Sequence, residues 1–166
     1  MAACAAVEGL TSEVAREALS KYSPPEHRCE LVAVIDEVEY LNDSKATNLH
    51  ALESALRSQT RPTILIAGGK QKGLDYQPLA PLLAQKAKAM IVFGEIGEEL
   101  RSVFATTVQC RKVDTLEEAV AMAAVMADRG ETILFSPGTS SFDQFNGYEE
   151  RGRAFKAALP QLTKTL

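Results

Sequence analysis

The sequence predicts an α/β domain: a mostly parallel sheet with helices on both faces. Three observations carry this expectation. Short apolar runs alternate with stretches of helical periodicity along most of the chain, the pattern of strand–helix–strand crossovers. Thr63-Ile-Leu-Ile-Ala67 is apolar without a break and ends in Gly68-Gly69, as a strand buried on both faces should. The length of 166 residues suits one such domain with a short appendage.

The elements follow in order. Residues 1 to about 23 read as two short helices broken at Gly9. Thr11 or Ser12 caps the second, and Val14, Ala15, Ala18 and Leu19 form its apolar stripe. Pro24-Pro25 ends it, because proline lacks an N–H and disfavours helix in the residue before it. Leu31–Ile35 and Val38–Leu41 are β-like, with acidic residues between them. Leu49, Leu52 and Leu56 line one face of a helix from about Ala46 to Ser58. After the Thr63–Ala67 strand, a helix is expected near Pro78–Lys86, a strand at Met90–Phe93, a helix at Ile96–Phe104 and a short strand near Val108–Arg111. Thr115 and Glu118 have capping-box spacing, and Leu116, Ala119, Val120 and Ala123 form the buried stripe of the helix they open. Thr132–Phe135 is the last parallel strand, and Phe155, Leu159 and Leu162 mark a closing helix.

Composition excludes several classes of function. The chain is 46% hydrophobic and 24% charged, with 10 Gly and 7 Pro in no period, which rules out a disordered or collagen-like chain. A net charge of −4 disfavours a nucleic-acid surface. Cys4, Cys29 and Cys110 are far apart, and only His27 and His50 offer imidazole, so no metal site is expected and the thiols read as reduced. The N-terminus has no basic region of a signal peptide, and the Ala119–Ala127 run is too short to span a bilayer. A cytoplasmic protein that meets neither membrane nor nucleic acid is the expectation.

In open parallel sheets ligands bind beyond the carboxyl ends of the strands. Three polar loops occupy such positions. Asn42-Asp-Ser-Lys-Ala-Thr-Asn48 enters a helix whose free N–H groups, with Lys45 and Thr47, suit an anion; Asp43 could cap the helix, or accept from a ribose or a magnesium-bound water. Plain capping with a solvated Lys45 explains the same residues. Gly68-Gly-Lys-Gln-Lys-Gly-Leu-Asp-Tyr76 allows a tight turn with Lys70 and Lys72 at the ligand edge, where they bind a carboxylate or phosphate or stand solvated on an exposed turn. It is not a P-loop, because Gln71 follows the Gly69-Lys70 pair and Ile64 stands at the first glycine position. Ser136-Pro-Gly-Thr-Ser-Ser-Phe-Asp-Gln-Phe145 could form an anion nest or a capping turn; it lacks a serine-hydrolase elbow. Two cationic groups with neutral donors on one sheet edge suit a dicarboxylate or a phosphate chain. His27-Arg28 adds a further anion-binding pair, or a charge partner for Glu26 and Glu30.

These loops, together with His27-Arg28, Tyr148 and Glu150-Arg-Gly152, stand in the order and spacing of the Mur ligases, and the chain resembles the C-terminal domain of that family over nearly its whole length. The Asp-Ser-Lys-Ala-Thr-Asn string resembles the D-glutamate-adding branch. The resemblance implies a Rossmann-like, three-layer fold and a part in ATP-dependent amide bond formation in peptidoglycan biosynthesis: ATP phosphorylates the carboxylate of UDP-N-acetylmuramoyl-L-alanine, and the amine of D-glutamate attacks the acyl phosphate. It implies that Lys45 and His27 are catalytic, Lys45 at the transferring phosphoryl or the tetrahedral oxyanion. Arg28 and Asp43 would contact ATP. Thr47, Lys72 and Ser141, with the backbone near Phe142 and Tyr148, would hold D-glutamate. It further implies that residues 1–26 are the helical tail of a central ATPase domain, with 27–166 the D-glutamate-binding domain. The P-loop and the Mg2+ ligands would lie in that central domain, so the chain alone is expected neither to ligate nor to hydrolyse ATP at enzymatic rates. A sister ligase such as a folylpolyglutamate synthase, and a non-catalytic anion-binding module, are the alternatives.

Overall fold

A computed structural model describes residues 11–20 and 25–162. The first expected helix, Pro24 and the side chains of Ala18, Leu19 and Leu162 lie outside the described residues. Helix α1 (Ser12–Ser20) is the expected second helix, and Thr11 caps it: its Oγ1 accepts from Val14 N at 3.3 Å.

Six strands form the sheet: β1 (Glu30–Ile35), β2 (Val38–Asn42), β3 (Thr63–Gly68), β4 (Ala87–Phe93), β5 (Gln109–Lys112) and β6 (Thr132–Phe135), in the spatial order β1-β2-β6-β3-β4-β5. Among the described residues only β1 runs antiparallel to its neighbour. The β1–β2 hairpin turns through Asp36 and Glu37, both at positive φ, the conformation a two-residue turn between twisted strands needs. All six residues of β3 are buried, which is why its sequence shows no alternation.

The helices are α2 (Leu49–Arg57), α3 (Ala80–Lys86, preceded by a 3-10 turn at Gln77–Leu79), α4 (Gly97–Phe104), α5 (Leu116–Met126) and α6 (Tyr148–Leu162). Strand alternation sends Ile64 and Ile66 to one face, where they pack with Leu116, Ala119, Val120 and Ala123 of α5 and Phe155 and Leu159 of α6. Leu65 and Ala67 face the other way, onto Leu52 and Leu56 of α2, Leu83 of α3 and Leu100 and Phe104 of α4. The expected three-layer arrangement is thus observed, including the Thr115–Glu118 capping box. Boundaries differ by a few residues. The shifts reach three residues: β4 begins at Ala87 and not Met90, and α2 at Leu49 and not Ala46, because Asn48 takes the cap and accepts from Ala51 N at 2.9 Å.

The chain steps outward from β2 through β3 and β4 to β5, then returns through α5 to insert β6 between β2 and β3. Helix α2 leaves β2 on one face and α6 follows β6 on the other. This reversal opens a crevice at the carboxyl ends of β2, β6 and β3, the place where open α/β sheets bind ligands.

Candidate functional site

All three loops singled out in the sequence leave that crevice, and hydrogen bonds stitch them together. Asp43 N donates to Phe135 O (2.7 Å) and Gly138 N to Ala46 O (2.9 Å), tying the loop after β6 to the loop after β2. Gly68 N donates to Pro137 O (3.2 Å), Lys70 N to Ser140 O (2.8 Å) and Thr139 Oγ1 to Lys70 O (2.7 Å), tying it to the loop after β3. Gly69 lies at this junction with φ 137°, and a Cβ there would overlap the Ser140 carbonyl oxygen, so the close approach of the two loops requires glycine. The Ser136–Ser140 amides that bond here hold loops together; Ser136 N and Gly138 N are spent on protein carbonyls and leave no nest at those positions.

A cleft of about 520 Å³ opens between the loop after β2, helix α2 and the start of α6. Arg28, Cys29, Asp43, Lys45, Thr47 and Tyr148 line it. Lys45 projects over the Tyr148 ring, Nζ 5.4 Å from the centroid, a cation–π contact that orients the ammonium. Lys72 reaches in from the loop after β3, its Nζ 3.3 Å from Thr47 O. Arg28 is exposed on the rim. Ser141 is buried in the loop after β6, where its carbonyl accepts from Gln144 N and Phe145 N, and Phe142 beside it is 67% exposed. The structure therefore brings Arg28, Asp43, Lys45, Thr47 and Tyr148 around one cleft, with Lys72 bonded to its edge.

Asp43 and His27 have other surroundings. Asp43 is 5% exposed and does not cap α2: Oδ1 accepts from Cys29 N (3.2 Å) and Oδ2 from Ser136 Oγ (2.8 Å). Burial pushes its carboxyl above the usual range despite these donors. His27 is 3% exposed and does not line the cleft. Its Nδ1 lies 3.0 Å from Asn42 Nδ2, and its ring meets Tyr148 edge-on at 6.2 Å. Burial holds the imidazole below its ordinary value. Its backbone N–H donates to Glu30 Oε2 (2.9 Å), and its ring nitrogens stand 3.8 and 4.0 Å from the Glu26 and Glu30 carboxylates, a charge pair only when the imidazole is protonated. Among the described residues, the one cluster with metal-ligand spacing is Glu26, His27 and Glu30, and the Lys156 ammonium already occupies it at 2.7 and 2.6 Å from the two carboxylates.

The family model described as "Mur ligase, glutamate ligase domain" matches residues 27–139. The chain belongs to the Mur ligase family. Among curated relatives it is 48% identical over 154 residues to the UDP-N-acetylmuramoylalanine–D-glutamate ligase of Chlorobium chlorochromatii, an alignment covering 93% of this chain and 33% of that one. It is 40% identical over 162 residues to the enzyme of the same name from Salinibacter ruber, covering 97% and 35%. The chain thus spans about a third of the length of the curated relatives it matches. Solved structures share the fold at low identity. The UDP-N-acetylmuramate-alanine ligase of Thermotoga maritima superposes with a TM-score of 0.64 at 13% identity, covering 95% of this chain and 35% of that chain. The bifunctional folylpolyglutamate synthase/dihydrofolate synthase of Yersinia pestis gives 0.58 at 19%, covering 95% and 35%.

Within this Mur ligase domain, sequence reading missed how much of the site's architecture hangs on Asn42, Ser44 and Arg151. Asn42 Oδ1 accepts from Ser44 N (3.2 Å), and its amide nitrogen donates to Gly152 O (3.2 Å). Ser44 Oγ donates to Tyr148 O at 2.8 Å. Arg151 is fully buried and donates to Ser44 and Thr139. A signal was present: Arg151 is a cation in the first turn of a helix, where the macrodipole favours acids, and Gly152 follows it where glycine weakens a helix. Gly152 is needed because a Cβ there would overlap the His27 imidazole.

Proposed function

We propose that this chain is the amino-acid-binding domain of an ATP-dependent ligase that joins D-glutamate to UDP-N-acetylmuramoyl-L-alanine in cytoplasmic peptidoglycan synthesis. The observation that carries the reading is the pairing of Lys72 with the Thr47 carbonyl beside Lys45: two ammonium groups from different strand ends stand at one cleft, Lys45 in its lining and Lys72 on the backbone of a residue that lines it. The names of the curated relatives support the acceptor, D-glutamate.

In this reading Lys72 and the Thr47 hydroxyl hold one carboxylate of D-glutamate, and Ser141 with the backbone near Phe142 and Tyr148 holds the other. Two fixed carboxylates set the direction of the amine, which is how such a grip would select the D-isomer. Lys45, aimed by the Tyr148 ring, neutralises charge on the transferring phosphoryl and on the tetrahedral oxyanion that follows amine attack. Arg28 on the rim contacts the ATP phosphates, and Asp43 the nucleotide. His27 supports this assembly from beneath, through Asn42 and Tyr148.

Magnesium would supply further charge neutralisation at the phosphates. The cleft lining offers it one carboxylate, Asp43, whose two oxygens already accept hydrogen bonds. The metal ligands are therefore assigned to a central ATPase domain, of which residues 1–26 would be the tail.

The test is a hybrid in which this chain replaces the matching third of the Chlorobium chlorochromatii ligase. Phosphate release from ATP that requires both UDP-N-acetylmuramoyl-L-alanine and D-glutamate, and that falls about 10²–10³-fold in Lys45→Met, is the expected result. Release with L-glutamate in place of the D-isomer, or with a folate acceptor, would overturn the reading. So would a soluble hybrid that binds the nucleotide-sugar and does not turn over.

A further inference from the structure

We infer that Arg151 is a positioning residue for the acceptor pocket: one buried guanidinium that clamps two of the site loops directly and reaches the third through Thr139. This rests on the reading of the cleft as the D-glutamate site. Arg151 is 0% exposed. Its Nε donates to Ser44 Oγ (3.2 Å), and its Nη2 to Ser44 O (2.9 Å) and Thr139 O (3.0 Å). Ser44 stands between Asp43 and Lys45 in the loop after β2. Its Oγ passes the contact on to the Tyr148 carbonyl, the residue whose ring carries Lys45. Thr139 belongs to the loop after β6, two residues before Ser141, and its Oγ1 donates to Lys70 O in the loop after β3, two residues before Lys72. One planar side chain thus fixes Ser44 next to Lys45 and Thr139 two residues before Ser141, and through Thr139 the backbone two residues before Lys72.

The pattern of partners argues for geometry over stability. The hydrogen-bond acceptors are a hydroxyl and two carbonyls, with no carboxylate among them. Among the described residues Nη1 has no hydrogen-bond partner, and neither has Oδ1 of Asp143, the anion nearest in effect. A buried cation held this way is a poor stabiliser compared with an apolar side chain of the same volume. What a guanidinium provides and an apolar side chain does not is three donors at fixed angles. The site also makes room for it: Gly69 has no Cβ, and one built there would stand 3.0 Å from Nη1.

Two variants of the full chain separate the possibilities: Arg151→Lys keeps the charge and loses the fork, and Arg151→Met keeps the volume and loses both. Amide hydrogen exchange reads the clamp through the inter-loop donors Asp43, Lys70 and Gly138. Their exchange is expected to accelerate about tenfold or more in both variants while the amides within β3 and β4 keep their protection. Equal acceleration throughout the sheet, or none at the three loop amides, would overturn the clamp. In the hybrid ligase, Arg151→Lys is expected to raise KM for D-glutamate about tenfold at an unchanged KM for UDP-N-acetylmuramoyl-L-alanine. Unchanged D-glutamate kinetics in a variant with loosened loops would overturn the positioning role. A wild-type hybrid without D-glutamate-dependent turnover, beside loop-confined exchange, would uphold the clamp and overturn the acceptor assignment.

Discussion

Lys72 Nζ lies 3.3 Å from the carbonyl oxygen of Thr47, so a side chain from the loop after β3 touches the backbone of the loop after β2. Strand β6 separates β2 from β3 in the sheet, and Lys72 spans the gap above its carboxyl end. The ammonium is exposed, and an exposed charge on a carbonyl adds little stability. Its consequence is placement: a carboxylate entering the cleft can take over a donor that is already aimed. Lys72→Met is therefore expected to weaken D-glutamate about 10–100-fold, the range of a charge-assisted hydrogen bond, and to leave the melting temperature nearly unchanged. An amide-NMR titration of the variant, with L-glutamate as control, measures this.

Gly69→Ala is expected to destabilise the domain by roughly 1–3 kcal/mol, because φ 137° is strained for any L side chain and the new Cβ would collide with the Ser140 carbonyl. Gly73→Ala, at φ 65° with open space around it, is the comparison: it carries the backbone strain without the collision and should lose less. Urea midpoints of the two variants decide this. A Gly69→Ala protein as stable as the Gly73 variant would mean that the loops after β3 and β6 can separate freely.

The strands were legible because burial leaves a mark on composition. Thr132–Phe135 is buried throughout and coincides with its expected span, as β3 does but for one added glycine. The loops were legible as a set because Lys45, Thr47 and Lys72 are chemically conspicuous after strands. Their wiring was not. Capping is one of the roles the sequence leaves open to Asp43, yet Asn48 stands closer to the helix and takes it. Asp43 then bonds Ser136, 93 residues away, a contact fixed by the insertion of β6 next to β2. No local pattern encodes that insertion. Arg151 was hidden for the same reason: both its partners come from other loops.

His27 gives the fold an acid limit. Its Nδ1 faces the Asn42 amide as acceptor, and burial keeps the ring neutral below the ordinary histidine value of 6.5. Glu26 and Glu30 favour its charged form, and Lys156 and Arg153 oppose it; burial outweighs them. The unfolded chain takes up its proton near pH 6.5 and the folded chain only at lower pH. Between the two the unfolded state binds more protons, so stability is full above 6.5 and falls as pH drops below it. Buried Asp43 has the opposite sign, since a raised carboxyl favours the folded state as it gains its proton. His27→Gln is expected to be less stable at pH 7.5 and to lose the decline below pH 6.5. Urea titrations from pH 7.5 to 5.5 measure both slopes, and parallel slopes for wild type and variant would contradict the assignment.

Cys29 offers a reporter inside the cleft itself. Burial, then the charge of Asp43, pushes its thiol up to about 12, and burial brings Cys110 on the edge strand β5 to about 11. At pH 8 only about one Cys29 in 10⁴ is then thiolate, so alkylation by iodoacetamide should run far more slowly than that of glutathione. Asp43→Asn removes the neighbouring charge and is expected to speed Cys29 while leaving Cys110 as it was. Cys29 also lines the cleft beside Arg28 and Asp43, the two residues proposed to contact the nucleotide. In the hybrid ligase, ATP should therefore protect Cys29 and not Cys110, which peptide mass spectrometry resolves residue by residue. Cys29 labelling as fast as glutathione would place the thiol in open water and remove Asp43 from its surroundings. Labelling that is slow yet indifferent to saturating ATP would move the nucleotide out of this cleft, leaving Arg28 and Asp43 without the role proposed for them.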